Sequence, residues 1–128
     1  VGSEHTFHKQ EKLTHKYSID AIFQKKGISI LKPPILFVYL KTDLKTPFPA
    51  QVLLSVSKRK FKRAVDRNQI KRQLREVYRL NKAKMYAAIP SEDKYAIGIL
   101  YLNNEPVSYT LLDKQLNLAI DEFVKRLS

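Results

Sequence analysis

The sequence predicts an α+β fold, an α/β sandwich in which helices and one sheet share a core. Three observations predict it. Three segments repeat apolar residues at helical spacing, and four short segments are rich in β-branched and aromatic residues. The two kinds are interleaved in the order α-β-β-β-α-β-α, which gives a four-stranded sheet. A chain of 128 residues, 44% apolar and 10% aromatic, is expected to be a single domain (1–128) with a modest core.

The elements follow in order. Leu13–Lys26 suits a short helix with Ile19, Ile22 and Phe23 on one side, stopped by Gly27. Ile28–Leu31 reads as a short strand that Pro33 and Pro34 break. Ile35–Lys41 alternates, with Ile35, Phe37 and Tyr39 on one face and Leu36, Val38 and Leu40 on the other. After a turn-rich stretch, Gln51–Ser57 alternates too. Val52, Leu54 and Val56 face one way, and Leu53, Ser55 and Ser57 the other, whose polarity suggests an open sheet face. The longest helix runs from about Arg63 to Ala88, with Ile70, Leu74, Val77, Tyr78 and Met85 toward the core. Tyr95–Leu102 is nearly all apolar, as in a strand covered on both faces. In Thr110–Leu127 the stripe is Leu112, Leu116, Ala119, Ile120, Phe123 and Leu127, and Thr110 with Asp113 resembles a capping box.

Composition narrows the function. There is no cysteine, so disulfide scaffolds and Cys-based metal sites are excluded, which fits a reducing cytoplasm. No apolar run reaches the roughly 18 residues of a membrane span, and VGSEHTFHKQ lacks a signal peptide's apolar stretch. Residues 1–6 are expected to be disordered or a tag remnant. The net charge is +12, an excess that disfavours compaction and points to a polyanionic partner.

That charge is concentrated. Lys58–Lys84 holds 12 of the 24 basic residues but only Asp66 and Glu76 of the 12 acidic ones. With Ile70 as origin, the core residues of the helix span roughly −20° to +80°. Asn68, Lys71, Arg72, Arg75, Arg79 and Lys82 span roughly 100° to 200°, a cationic stripe beside the buried face. Like charges at i, i+4 and basic residues in the first turn both weaken a helix, so anion contact is the natural reason for them. Arg can grip phosphate with a planar fork, and Asn68 can reach a base edge, a 2′-hydroxyl or a backbone group. A solvated face is the competing reading, but such faces usually mix Glu with Lys.

The stretch Leu54-Ser55-Val56-Ser57-Lys58-Arg59, followed by Lys62 to Glu76, resembles the signature of the bacterial ribonuclease P protein component. In that family a strand ending in Ser-Val-Ser-Lys leads to a helix carrying Arg-Asn-Arg-Ile-Lys-Arg-x-x-Arg. Arg67, Asn68, Ile70, Lys71, Arg72 and Arg75 match in register, and Gln69 replaces an Arg. The pattern Phe7, Lys12-Leu13, Ile22-Phe23, Gly27 is similar to the family's first segment, although Ile19 stands where many members carry an aromatic residue.

The resemblance implies a left-handed β-α-β crossover, against the usual hand. It implies a helix that contacts ribonuclease P RNA, here through Lys58, Arg59, Arg63, Arg67, Asn68, Lys71, Arg72, Arg75 and Arg79. It also implies a cleft between the first helix and the sheet for the single-stranded 5′ leader of precursor tRNA. Tyr17, Ile19, Phe23, Phe37, Tyr39, Ser55 and Ser57 are its candidate lining, with ordinary core packing as the competing reading for Phe23 and Phe37. Catalysis is expected in the RNA with Mg²⁺ bound mainly there, so no catalytic or metal-ligating residue is assigned to the protein. Neither a membrane nor an obligate protein partner is expected.

The residues agree with that division. Three glycines cannot supply a phosphate loop, and His5, His8 and His15 lack metal-ligand spacing. The acidic pairs Glu92-Asp93 and Asp121-Glu122 form no two-metal nuclease pattern. Two other readings share the basic helix: a structural RNA-binding protein such as a ribosomal protein, and a DNA-binding helix domain.

Overall fold

The computed structural model describes residues 7–14 and 16–127, apart from the side chains of 16–18 and 25–26. The expectation for residues 1–6 lies outside them. Each predicted helix and strand forms, with shifted ends. The helices are α1 (Lys16–Ala21), α2 (Ala64–Ala88) and α3 (Tyr109–Leu127). The strands are β1 (Ile28–Lys32), β2 (Ile35–Lys41), β3 (Ala50–Val56) and β4 (Tyr95–Tyr101). Two ends differ for a clear reason. Leu13, expected to open α1, instead donates its N–H to Val52 O at 2.9 Å, so the chain there runs beside β3 and the helix starts later. At α3 the cap is Ser108, whose Oγ accepts the N–H of Leu111 at 3.1 Å, not the Thr110–Asp113 box.

The sheet order is β1-β2-β4-β3. β1 with β2 and β2 with β4 are antiparallel, and β3 with β4 is parallel, so α2 is the crossover between parallel neighbours. Alternation then divides the side chains between two layers. Ile35, Phe37 and Tyr39 of β2, Val52 and Val56 of β3, and Ile97 and Ile99 of β4 meet α2 and α3. The predicted stripes Ile70, Leu74, Val77, Tyr78, Met85 and Leu112, Leu116, Ala119, Ile120, Phe123 close this main core. Burial of each large side chain contributes roughly 1.5–3 kcal/mol before entropy is subtracted.

The opposite face is only partly covered. Leu13, Ile22, Val38 and Ala96 form a small second core there, flanked by Ile19, Leu36, Leu40, Leu53 and Leu100. α1 continues through a π-helical turn, Ile22–Lys26, to Gly27. A Cβ at Gly27 would lie 2.6 Å from Val38 Cγ1 and 2.7 Å from Ile22 O, so only glycine lets this turn press onto β2.

Candidate nucleic-acid interface

The loop from Ser57 to Arg63 and the first half of α2 present the cations. The loop is held from within. Ser57 Oγ accepts the N–H of Arg59 at 3.1 Å, and Lys60 Nζ donates to Leu102 O. Arg67 turns back from the helix and donates to Phe61 O at 2.6 Å and Lys62 O at 2.9 Å. Arg67 thus shapes the loop as well as carrying charge. Arg63 sits at the N-cap with Nε 3.9 Å from Asp66 Oδ2, a weak pairing.

Beyond them the stripe divides. Lys58, Arg59, Asn68, Arg72 and Arg75 are exposed and Lys71 is half-buried. Among the described residues no carboxylate lies within ion-pair distance of Lys71, Arg72 or Arg75. Further along, Arg79 makes a two-pronged contact with Glu76, Nε–Oε2 at 3.1 Å and Nη2–Oε1 at 2.6 Å. The Arg79 hydrogen bond and charge hold the Glu76 carboxyl below its usual value. Lys82, placed on the open stripe by its helical angle, is buried instead and ion-paired with the fully buried Glu11. Its position borders the core face, and the chain before α1 folds over it.

That contact is a network the sequence alone did not suggest. Glu11 Oε2 accepts the N–H of His8 at 2.6 Å, and Oε1 accepts the Tyr86 hydroxyl at 2.7 Å. Tyr78 donates toward the Tyr86 oxygen at 3.5 Å, and Phe7 meets the Tyr78 ring edge-on at 5.9 Å. Burial, foremost, pushes both phenols above their ordinary value. Nothing in the sequence near Glu11 marks it, because its side-chain partners Lys82 and Tyr86 lie 71 and 75 residues away.

The expected cleft lining needs correction. Phe37 is fully buried, with its ring 5.6 Å from Phe123, and Tyr39 is nearly so, 4.7 Å from Phe123. Both lie under α3, on the sheet face away from α1, and the Tyr39 oxygen accepts from Arg126 at 3.4 Å. Strand alternation gives the α1 side to Leu36, Val38 and Leu40 instead. Ile19 packs at that side, and Phe23 stays 44% exposed above Gly98, where a Cβ would be 3.6 Å from its ring. Ser55 pairs in register with Leu100 and is half-buried on this face. Ser57 lies at the end of the strand, its hydroxyl engaged by the loop. The Tyr17 side chain lies outside the described residues. Leu36, Leu53, Gly98 and Leu100 thus share the sheet face beside α1, none of them foreseen there. The polar Ser55 marked the open face, but the register that aligns these residues with it is set across strands.

A half-open sheet backed by a helix whose Lys71, Arg72 and Arg75 have no carboxylate partner among the described residues defines an α+β domain with a flank suited to a polyanion. The family model for ribonuclease P matches residues 7–124. A ribonuclease P protein component from Porphyromonas gingivalis is 28% identical over 113 residues, covering 88% of this chain and 82% of that one. One from Idiomarina loihiensis is 46% identical over 61 residues, 45% of this chain and 46% of its own. The solved RNase P protein of Staphylococcus aureus superposes with a TM-score of 0.68 at 18% identity, over 88% of this chain and 94% of that one. That of Thermotoga maritima gives 0.65 at 22%, over 87% and 96%; these two likenesses concern the fold. The chain belongs to the ribonuclease P protein family. It is thus a protein component of a tRNA-processing ribonuclease with an RNA partner, and the ribosomal-protein reading is not favoured. Among the described residues no helix is long and apolar enough to cross a membrane.

Proposed function

We propose that the chain grips ribonuclease P RNA with Lys71, Arg72 and Arg75, flanked by Lys58, Arg59, Arg63 and Asn68, while the sheet face beside α1 receives the unpaired 5′ leader of precursor tRNA. One observation carries the reading: three adjacent cations on a rigid helix have no carboxylate partner among the described residues, while those further along do. Phosphate oxygens would supply that partner, and release of counterions would drive binding. Phe23, exposed over a glycine floor, offers a ring on which a base can stack.

Bond cleavage in this reading belongs to the RNA. Among the described residues no three His, Asp or Glu side chains come together to hold a metal. Mg²⁺ would be bound mainly by RNA phosphates. The protein's own residues bind and orient, and Gln69 contributes one cation fewer to that surface.

The test is cleavage of 5′-labelled precursor tRNA by ribonuclease P RNA at low Mg²⁺, with and without the protein. Stimulation at the mature 5′ end is expected, and it should vanish with Arg67→Glu, Lys71→Glu and Arg75→Glu combined. Full stimulation by that folded variant would reject the interface. Phe23→Ala should weaken binding of long-leader substrate by about 1–3 kcal/mol and leave a leaderless one unaffected.

A further inference from the structure

One further cation, Lys12, lines a small cleft together with the α2 stripe. The chain before α1 lies along the outer edge of β3, with Lys12 in parallel register with Val52. Lys12, Leu13 and Thr14 from this segment, Val52, Leu53 and Leu54 from β3, and Lys71 and Arg75 from α2 line a cleft of about 240 Å³ with Phe7, over whose ring Lys12 Nζ lies at 5.8 Å. No carboxylate is in that lining. Three cations from two separate segments therefore meet over an apolar floor. Such a convergence opposes folding unless an anion occupies it.

The segment that brings Lys12 there is fastened by its neighbour Glu11. That carboxylate is fully buried, ion-paired with Lys82 and hydrogen-bonded by Tyr86 and the His8 N–H. A buried ion pair is a poor way to add stability, since apolar residues of similar volume often do as well. What it fixes is register: with Glu11 anchored to α2, the exposed Lys12 is set on the cleft side, opposite Lys71 and Arg75.

We propose that Lys12 is a further contact to an RNA phosphate, and that Glu11 is a positioning residue acting through it. This rests on the reading of α2 as the RNA-binding helix. The phosphate can come from ribonuclease P RNA or from precursor tRNA, and two assays separate the sources.

Lys12→Ala is made first. It is exposed and its removal relieves like-charge repulsion, so the thermal midpoint should not fall. Binding of isolated ribonuclease P RNA and the KM of the assembled holoenzyme for precursor tRNA are then measured over a range of salt. Loss in the first assigns the contact to the RNA subunit, and loss in KM alone assigns it to the substrate. In either case the slope of log affinity against log salt should fall by about 0.7–0.9, and Lys12→Arg should restore it. No change in either assay overturns the contact.

Lys71→Ala with Arg75→Ala, run alongside, separates the failures. Loss there with Lys12→Ala at wild-type level removes Lys12 alone, whereas no loss in either removes the reading of α2 as well. Glu11→Gln tests positioning. Its effect on affinity should disappear in a Lys12→Ala background, and an effect that persists in full shows that Glu11 does not act through Lys12. If Glu11→Gln does not fold, Tyr86→Phe, which removes one donor to the same carboxylate, takes its place in the cycle.

Discussion

The two halves of α2 carry similar densities of positive charge and treat it in opposite ways. In the first half, Lys71, Arg72 and Arg75 have no carboxylate partner among the described residues. In the second, Arg79 pairs with Glu76, Lys82 is buried against Glu11, and Lys84 reaches Asp121 at 2.8 Å and Asn117 at 2.7 Å. The difference follows from what each half touches. The second half is flanked by α3 and the chain before α1, both of which supply acceptors. The first half has β3, residues 12–14 and open solvent on its cationic flank, and none of these residues supplies a carboxylate. One helix thus does two jobs, fastening the fold with one set of cations and offering the other outward. Counting charge along a sequence cannot separate them.

Several changes would break or sharpen this contrast. The largest effect is expected from Lys82→Ala. Leaving Glu11 buried and unpaired should cost about 3–5 kcal/mol in urea unfolding, without changing the salt slope of RNA binding in the folded protein. Unchanged stability with a reduced slope would place Lys82 among the outward cations and end the distinction. Next comes alkali. Tyr78 and Tyr86 have folded values raised above the ordinary 10.0, so the folded state holds these protons more tightly. Their contribution is complete below that value and is lost as pH rises from there toward the raised folded values. Unfolding midpoints should begin to drop near pH 10 and go on dropping above it, and Tyr86→Phe should flatten the drop.

Arg75→Ala is smaller in stability and clear in binding. The thermal midpoint should hold while the salt slope falls by about 0.7–0.9; Arg79→Ala should leave that slope alone. The smallest effect is local. Glu76 is depressed below 4.5 chiefly by its hydrogen bond from Arg79, so its contribution is present above that value and fades as pH falls through the folded one. A carboxyl NMR titration of Glu76 should show the depressed midpoint, and Arg79→Ala should return it to the ordinary range.

Much of this was legible in the sequence because it is local. Periodicity located the core stripes of α2 and α3, and alternation divided β2 correctly into its two faces. What alternation leaves open is which face meets which helix. Phe37 and Tyr39 looked suited to stacking on unpaired bases, yet α3 claims their side of the sheet and α1 receives Leu36 and Val38. The motif residues were legible as a pattern, but Arg67 spends donors on its own loop and Lys82 is spoken for by Glu11. The first depends on how the loop before α2 folds back on the helix and the second on a contact between distant parts of the chain, and neither spacing nor composition encodes them.

The segment from Phe7 to Leu13 has one more consequence. β3 stands at the end of the sheet order, and this segment is what lies along its outer side, through Lys12 and Leu13. An uncovered strand edge is a template on which another chain can add a strand. The clasp of Glu11 on Lys82 therefore also holds a cover over this edge. A chain shortened to begin after Leu13 would keep its sheet and its basic helix, but would expose a sticky flank and tend to clump at concentrations where the full chain stays dispersed.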